Sequence, residues 1–136
     1  MLVGYVRVST DDQNLNLQKD ALIKYGIDQR NIFSDKTSGS KDKRVGLDKA
    51  IEFLKDGDTL VVWKLDRLGR SLAHLISIIT SLKNRNISFI SITEGMDTTT
   101  ASGELFFHIF GALAQFERSL IQERVKAGLE AAKNRG

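Results

Sequence analysis

Short apolar runs alternate along the chain with stretches whose apolar residues recur at helical spacing, the pattern of a parallel sheet covered by helices on both faces. Leu2 to Val8, apolar throughout except for Arg7, predicts the first strand. Thr10 or Asp11 is the candidate cap of a following helix, whose inner face takes Leu15, Leu17, Leu22 and Ile23 and whose stop is Tyr25-Gly26. Asn31 to Ser34 reads as a second short strand. Residues 35–46 hold one apolar position among many turn formers and predict a mobile surface loop. A short helix from Leu47 to Lys55 ends at "DGD", and "TLVVWK", Thr59 to Lys64, is the strongest buried-strand pattern. Ser71 to Arg85 predicts a helix with Leu72, Leu75, Ile76, Ile79 and Leu82 inward, and Ile87 to Thr93 a further strand.

The last third breaks this alternation. From Ser102, a candidate cap, to Asn134 there is no proline, and the helix so predicted spans about 50 Å, more than a small domain can cover. Phe106, Ile109, Leu113, Phe116 and Leu120 step by three and four residues, as an a/d seam does, beside the small residues Gly111, Ala112 and Ala114. Two readings stand: a subunit interface, or a core helix packed on its own sheet. Beyond Leu120 the apolar pattern thins, and Arg124, Lys126, Lys133 and Arg135 make the far end basic, fit to lie on phosphates. The fold expected is therefore α/β, a mostly parallel sheet flanked by helices with a long C-terminal dimerisation helix. Residues 1–101 form the core and 102–136 the helix.

Composition narrows the class. The chain has 136 residues, 41% hydrophobic and 27% charged, which suits one folded domain and excludes a disordered or collagen-like chain. With no cysteine there is no disulfide framework, thiolate metal site or cysteine nucleophile, and a reducing cytosol is permitted. No signal-peptide pattern opens the chain and no apolar run is long enough to span a bilayer, so a cytoplasmic protein without a membrane partner is expected. A net charge of +3 leans toward an anionic partner without deciding the matter.

The chemistry gathers at two strand ends. Residues two apart on a strand face the same way, so Tyr5, Arg7 and Ser9 share one side, with Ser9 at the carboxyl end where open α/β sheets bind ligands. Ser9 taken alone is a helix-capping hydroxyl or a nucleophile. Arg7 favours the second, because an arginine inside an apolar strand is costly to desolvate unless it meets an anion or solvent. In "WKLDRLGRS", residues 63–71, Asp66, Arg67 and Arg70 follow another strand, and Arg67 and Arg70 share a helical face if the helix has begun there. The alternative for this cluster is a local Asp66–Arg70 surface pair. Parallel pairing sets both strand ends on one edge, with Arg44 in the intervening loop able to close over it. His74 and His108 lie on helices, so no histidine base accompanies the serine, and no GxSxG elbow or glycine-rich phosphate loop is present. Several guanidinium groups around one hydroxyl suit phosphoryl transfer, with a phosphodiester as substrate.

"GYVRVSTDDQNLNLQ", "DKTSGSKDKRVGLD", "VWKLDRLGRS" and "ALAQFERSLIQERVKAGL" together resemble the catalytic domain of the serine recombinases, the resolvase and DNA invertase group, over essentially the whole chain. The resemblance implies that Ser9 attacks a DNA phosphodiester, leaving a 5′-phosphoserine linkage and a free 3′-hydroxyl, with no metal or nucleotide cofactor. It carries the catalytic set onto Arg7, Ser9, Gln13, Gln18, Arg44, Asp66, Arg67 and Arg70, with Asp66 the candidate proton donor and Asp35 and Ser38 in the surrounding loop. Arg118, Glu123 and Arg124 match positions of the dimer interface and of site positioning, and Arg118 joins Arg124, Lys126, Lys133 and Arg135 as candidate DNA contacts. The partners implied are a double-stranded recombination site, a homodimer pairing into a homotetramer that exchanges strands by subunit rotation, and accessory DNA-bending proteins. A bacterial, phage or mobile-element origin is implied too. Phe53 stands where many resolvases carry a cation, and the family continues past "AAKNRG" into a helix-turn-helix domain, so a catalytic fragment with weak, salt-sensitive DNA binding is expected. The rival readings are a non-catalytic α/β scaffold that merely dimerises, and a cofactor-free nuclease or topoisomerase.

Overall fold

The structure, a computed structural model, describes residues 1–8, 12–36, 45–68 and 71–135. Its sheet has five strands in the order β2-β1-β3-β4-β5: β1 Leu2–Val8, β2 Ile32–Lys36, β3 Thr59–Val62, β4 Ser88–Ser91 and β5 Met96–Asp97. The first four are mutually parallel and β5 runs antiparallel to β4. The helices are α1 Asp12–Tyr25, α2 Val45–Phe53, α3 Leu72–Asn84 and α4 Ala101–Arg135.

Alternation along the strands sorts two cores. Val3 and Tyr5 of β1, Leu60 and Val62 of β3 and Phe89 of β4 face one layer, built with Leu47, Ala50 and Leu54 of the α2 region and Leu75, Ile79 and Leu82 of α3. Phe107 and Phe110 of α4 pack against the same layer. Val6 and Val61 face the other side, with Leu22 of α1 and Ile27. The expected mostly parallel α/β architecture is therefore present, with α2, α3 and the start of α4 on one face and α1 on the other.

Several local expectations shift. On α1 the buried positions include Gln18 and Leu22, while Leu17 is 52% and Ile23 43% exposed, so the inner face is rotated from the one predicted. On α3, Ile78 rather than Ile76 joins the core. Helix α2 begins at Val45, before the predicted Leu47, because the Asp35 carboxylate accepts from Gly46 N at 2.7 Å and Leu47 N at 3.0 Å and so caps it across the sheet. Lys36 closes β2 where a loop was predicted, and Thr37 to Arg44 lie outside the described residues, as do the candidate caps Thr10 and Asp11. Thr100, not Ser102, caps α4: its Oγ1 accepts from Gly103 N at 3.0 Å and donates to Asp97 O at 2.8 Å. A Cβ at Gly103 would sit 1.7 Å from Asp97 O, so only glycine lets α4 leave β5 this closely.

Helix α4 runs 35 residues. Gly103 and Ala114 are buried and Phe107 and Phe110 half-buried, which fixes the inward stripe, and the Lys83–Glu104 ion pair at 2.8 Å ties the first turn to α3. Phe106, Ile109, Leu113 and Phe116 lie on the other side of the helix, between 43% and 60% exposed, and Leu120 is half-buried. The core reading thus holds for one face of the helix, and the heptad seam faces outward.

Candidate active site

Strand β1 delivers Arg7 to the carboxyl edge of the sheet. Pairing of β1 with β3 ends at Tyr5 and Val62, while pairing with β2 continues through Arg7 and Asp35 to Val8 and Lys36. At the level of Arg7 one neighbouring strand has therefore turned away. Gln18 of α1, fully buried, fills the gap: its Oε1 accepts from Arg7 N at 3.1 Å and its Nε2 donates to Arg7 O at 2.9 Å. A side-chain amide has one acceptor and one donor group, as a strand neighbour does, so it closes the ladder without another residue of strand.

The departing chain after β3 forms a single 3-10 turn, Leu65–Arg67, rather than the first turn of α3. Helix α3 starts at Leu72, with Ser71 Oγ accepting from His74 N at 3.1 Å, so the helix has not begun at Arg67, the condition on which a helical face shared with Arg70 depended. The turn lies against β1. Arg7 Nη2 donates to the backbone oxygen of Asp66 at 2.8 Å, which joins two strand ends 59 residues apart in sequence. Arg67 Nε is 3.7 Å from Asp66 Oδ1, too long for a hydrogen bond, and is buried with no hydrogen-bond partner among the described residues. The Asp66 side chain is 71% exposed and that of Arg67 25%.

Two carboxylates frame these groups. Asp35, in register beside Arg7, accepts from Tyr5 Oη at 2.7 Å besides capping α2, which locks the edge strand to β1 and to the first turn of that helix. Gly46 is required there, since a Cβ would lie 2.3 Å from Ser34 O. Glu94, from the turn between β4 and β5, accepts from Leu65 N at 3.2 Å and from Ser91 Oγ. Neither the Tyr5–Asp35 pair nor Glu94 is foreshadowed by local pattern, because both depend on which strands become neighbours.

Of the predicted catalytic set, Arg7, Gln18, Asp66 and Arg67 come together at this edge. Ser9, Ser38, Arg44 and Arg70 lie outside the described residues, and Gln13 is placed only as backbone in the first turn of α1. On α4, Arg118, Glu123, Arg124 and Lys126 are exposed, and Lys133 and Arg135 lie in its last turns. Phe53 is 39% exposed and its ring lies 5.4 Å from that of Phe33, so the position where a cation was absent carries an aromatic pair instead. No helix among the described residues is long and apolar enough to cross a membrane.

Residues 2–136 match the family described as Resolvase, N terminal domain. The chain is 57% identical over 136 residues to the serine recombinase gin of Escherichia phage Mu, covering all of this chain and 69% of that protein. It is 56% identical over 138 residues to the transposon Tn552 DNA-invertase BinR of Staphylococcus aureus, covering 100% and 71%. Among solved structures, the N-terminal catalytic domain of TP901-1 integrase superposes with a TM-score of 0.74 at 33% identity, covering 88% of this chain and 97% of that one. A resolvase family site-specific recombinase from Streptococcus pneumoniae has the same fold, with a TM-score of 0.80 at 24% identity over 99% and 98% of the two chains. With a strand-end arginine, its buried amide clamp and an adjoining Asp-Arg turn in place, this chain belongs to the resolvase N-terminal domain family, the site-specific recombinase enzymes that include the serine recombinases and DNA invertases.

Proposed function

We propose that the chain cleaves and rejoins double-stranded DNA at recombination sites with Ser9 as nucleophile. The Ser9 hydroxyl gives up its proton to solvent as its oxygen attacks the phosphorus, the bond to the 3′-oxygen breaks, and that oxygen leaves with a proton for which Asp66, reprotonated from solvent, is the candidate donor. Attack by the 3′-hydroxyl of another strand reverses the step and releases Ser9. One phosphodiester is exchanged for one phosphoserine ester, so no external energy source enters the balance. Arg7 and Arg67, joined by Arg44 and Arg70, hold the non-bridging oxygens and stabilise the charge that spreads over them. Gln13 completes the set near the serine. Gln18 works through Arg7 rather than on the DNA, since both ends of its amide are engaged by the Arg7 backbone.

The observation that carries this reading is the contact between Arg7 Nη2 and Asp66 O at 2.8 Å: it brings the strand that leads straight into Ser9 against the turn that bears Asp66 and Arg67. In the assembly we infer, the outward seam of Phe106, Ile109, Leu113, Phe116 and Leu120 pairs two copies, two dimers pair into a tetramer, and strands exchange by rotation of subunits. Residues 1–101 serve as catalytic core and 102–136 as the dimerisation helix. Arg118, Arg124, Lys126, Lys133 and Arg135 follow the DNA backbone. The setting is the cytoplasm of a cell hosting a bacterial or phage element, with DNA-bending proteins as accessory factors.

The test is a nicked duplex bearing the sequence the protein selects from a random DNA pool. The wild-type chain should leave a denaturation-resistant protein–DNA adduct and Ser9→Ala none. Joining of strands from two different duplexes then distinguishes a recombinase from a nuclease. An adduct that persists in Ser9→Ala, or no adduct from the wild-type protein, refutes the reading and favours the scaffold alternative.

A further inference from the structure

The Leu65–Arg67 turn has an unmet requirement at its start. The first N–H groups of a helical turn point away from any partner within it, and a side chain at the cap position usually supplies the acceptor. Lys64 holds that position here and makes no side-chain cap bond. The acceptor comes instead from a distant segment: Glu94 Oε1 takes the Leu65 N–H at 3.2 Å. Leu65 itself is only 8% exposed, so without Glu94 its N–H would be left in a largely dry setting.

Glu94 is itself well fixed. The pairing of β3 with β4 continues past both strands, with Ile92 N donating to Val62 O at 3.0 Å and Thr93 N to Trp63 O at 2.9 Å, which carries the following residue to the exit of β3. Ser91, fully buried, donates its hydroxyl to the same Oε1. Gly95, at φ +67°, then turns the chain into β5. The carboxylate is thus held from below by the sheet and presented to the turn.

We propose that Glu94 is a positioning residue of the recombinase site. By capping the Leu65–Arg67 turn it fixes the Asp66 backbone oxygen that receives Arg7, and with it the direction of the Asp66 and Arg67 side chains. It acts through that turn and touches neither DNA nor the reacting atoms. Moving the turn by a fraction of an ångström would displace the candidate proton donor Asp66 and the cradle residue Arg67 at once and loosen Arg7. This inference rests on the proposed catalytic role of Asp66 and Arg67.

The test compares Glu94→Ala, Glu94→Gln and Arg67→Ala with the wild-type chain on the selected nicked duplex, measuring the first-order rate of adduct formation at saturating DNA, DNA affinity, and melting temperature. Glu94→Ala should slow adduct formation by about tenfold or more, the loss set by one positioning hydrogen bond, with affinity unchanged. Glu94→Gln, which keeps an acceptor oxygen, should recover most of the rate. A wild-type rate in Glu94→Ala, a glutamine variant as slow as the alanine one, or a rate loss that only follows a collapse in melting temperature overturns the proposal. If Arg67→Ala is inactive while Glu94→Ala is not impaired, the positioning role alone fails. If Arg67→Ala also reacts at the wild-type rate, the catalytic reading falls and takes this role with it.

Discussion

Gln18→Leu is the most informative single change in the core of the site. Leucine has nearly the volume of glutamine, so little cavity opens, but both hydrogen bonds to the Arg7 backbone disappear. Each leaves a backbone group without its partner, at a cost of about 1 to 3 kcal/mol. Arg7 is half-buried, which admits some water and places each loss toward the low end, so the pair should cost about 3 kcal/mol. For a chain of 136 residues that corresponds to a fall of roughly 10 °C in melting temperature. Gln18→Glu supplies the control that distinguishes hydrogen bonding from packing. A protonated glutamic acid accepts through its carbonyl and donates through its hydroxyl, reproducing both bonds, whereas the carboxylate cannot donate to Arg7 O and is buried. Burial therefore raises its folded pKa above the unfolded value of about 4.3. A group raised in this way favours the fold fully below the unfolded pKa and loses that contribution as pH rises through the folded one. Urea titrations of the three proteins from pH 4 to 8 should show the glutamate variant approaching wild type at the acid end and falling away from it toward neutrality. Leucine at wild-type stability, or a glutamate variant whose deficit does not change with pH, would refute the strand-substitute role assigned to Gln18.

The remaining expectations rest on other parts of the chain. Gly103→Ala forces a Cβ against the Asp97 carbonyl and should lower the unfolding free energy by about 2 to 4 kcal/mol in urea titration; an unchanged midpoint would contradict the close exit of α4 from β5. Asp58 is buried, which raises its pKa, but the Lys55 N–H and the N-terminal ammonium outweigh this and hold it below the ordinary 3.8. Its contribution is therefore present above pH 3.8 and lost as pH falls through the lower folded value, so Asp58→Asn should melt a few degrees below wild type at neutrality and converge with it in acid. Phe116, 60% exposed, should tolerate alanine within about 0.5 kcal/mol of monomer stability while the sedimenting mass drops; an unchanged mass counts against the seam. Arg67→Met removes a buried Nε that has no hydrogen-bond partner among the described residues and should leave the melting temperature equal or higher while abolishing the adduct, whereas a destabilised variant would assign Arg67 a structural role.

The elements that could be read from sequence are those whose patterns are local. Strand β1 is apolar except for Arg7 and β3 is an apolar run after its opening threonine, and α3 opens on a serine that does cap it. Arg7 stood out because its neighbours on β1 are apolar and a charge among them needs a reason. What escaped notice depends on neighbours in space. Strand β5 is two residues long inside a polar, threonine-rich stretch, and becomes a strand only by lying beside β4. The inner face of α1 was misplaced because helical periodicity assigns glutamine to solvent, whereas Gln18 is buried to complete a ladder that β3 abandons. Leu17 and Ile23 are displaced outward by the same rotation. The tight start of α2 follows from Asp35, whose capping bonds cross between elements and leave only Gly46 as a local trace.

The way the arginines are anchored bears on what they can bind. A guanidinium held by a carboxylate in a close bidentate pair has its charge largely neutralised and its donors engaged. Here Arg7 is held by a backbone oxygen, a neutral acceptor, and Asp35 beside it in register directs its carboxylate to Tyr5 Oη and to the N–H groups of Gly46 and Leu47. Arg67 meets Asp66 only at 3.7 Å, with the carboxylate largely in water, an arrangement worth less than about 1 kcal/mol. Among the described residues, then, neither cation has a close counter-ion. A scaffold gains nothing from such an arrangement, since a partly buried cation without a close counter-ion weakens the fold. For an enzyme acting on a phosphodiester it leaves positive charge at the carboxyl edge of β1, and under the proposed function the counter-charge is supplied by the substrate phosphate.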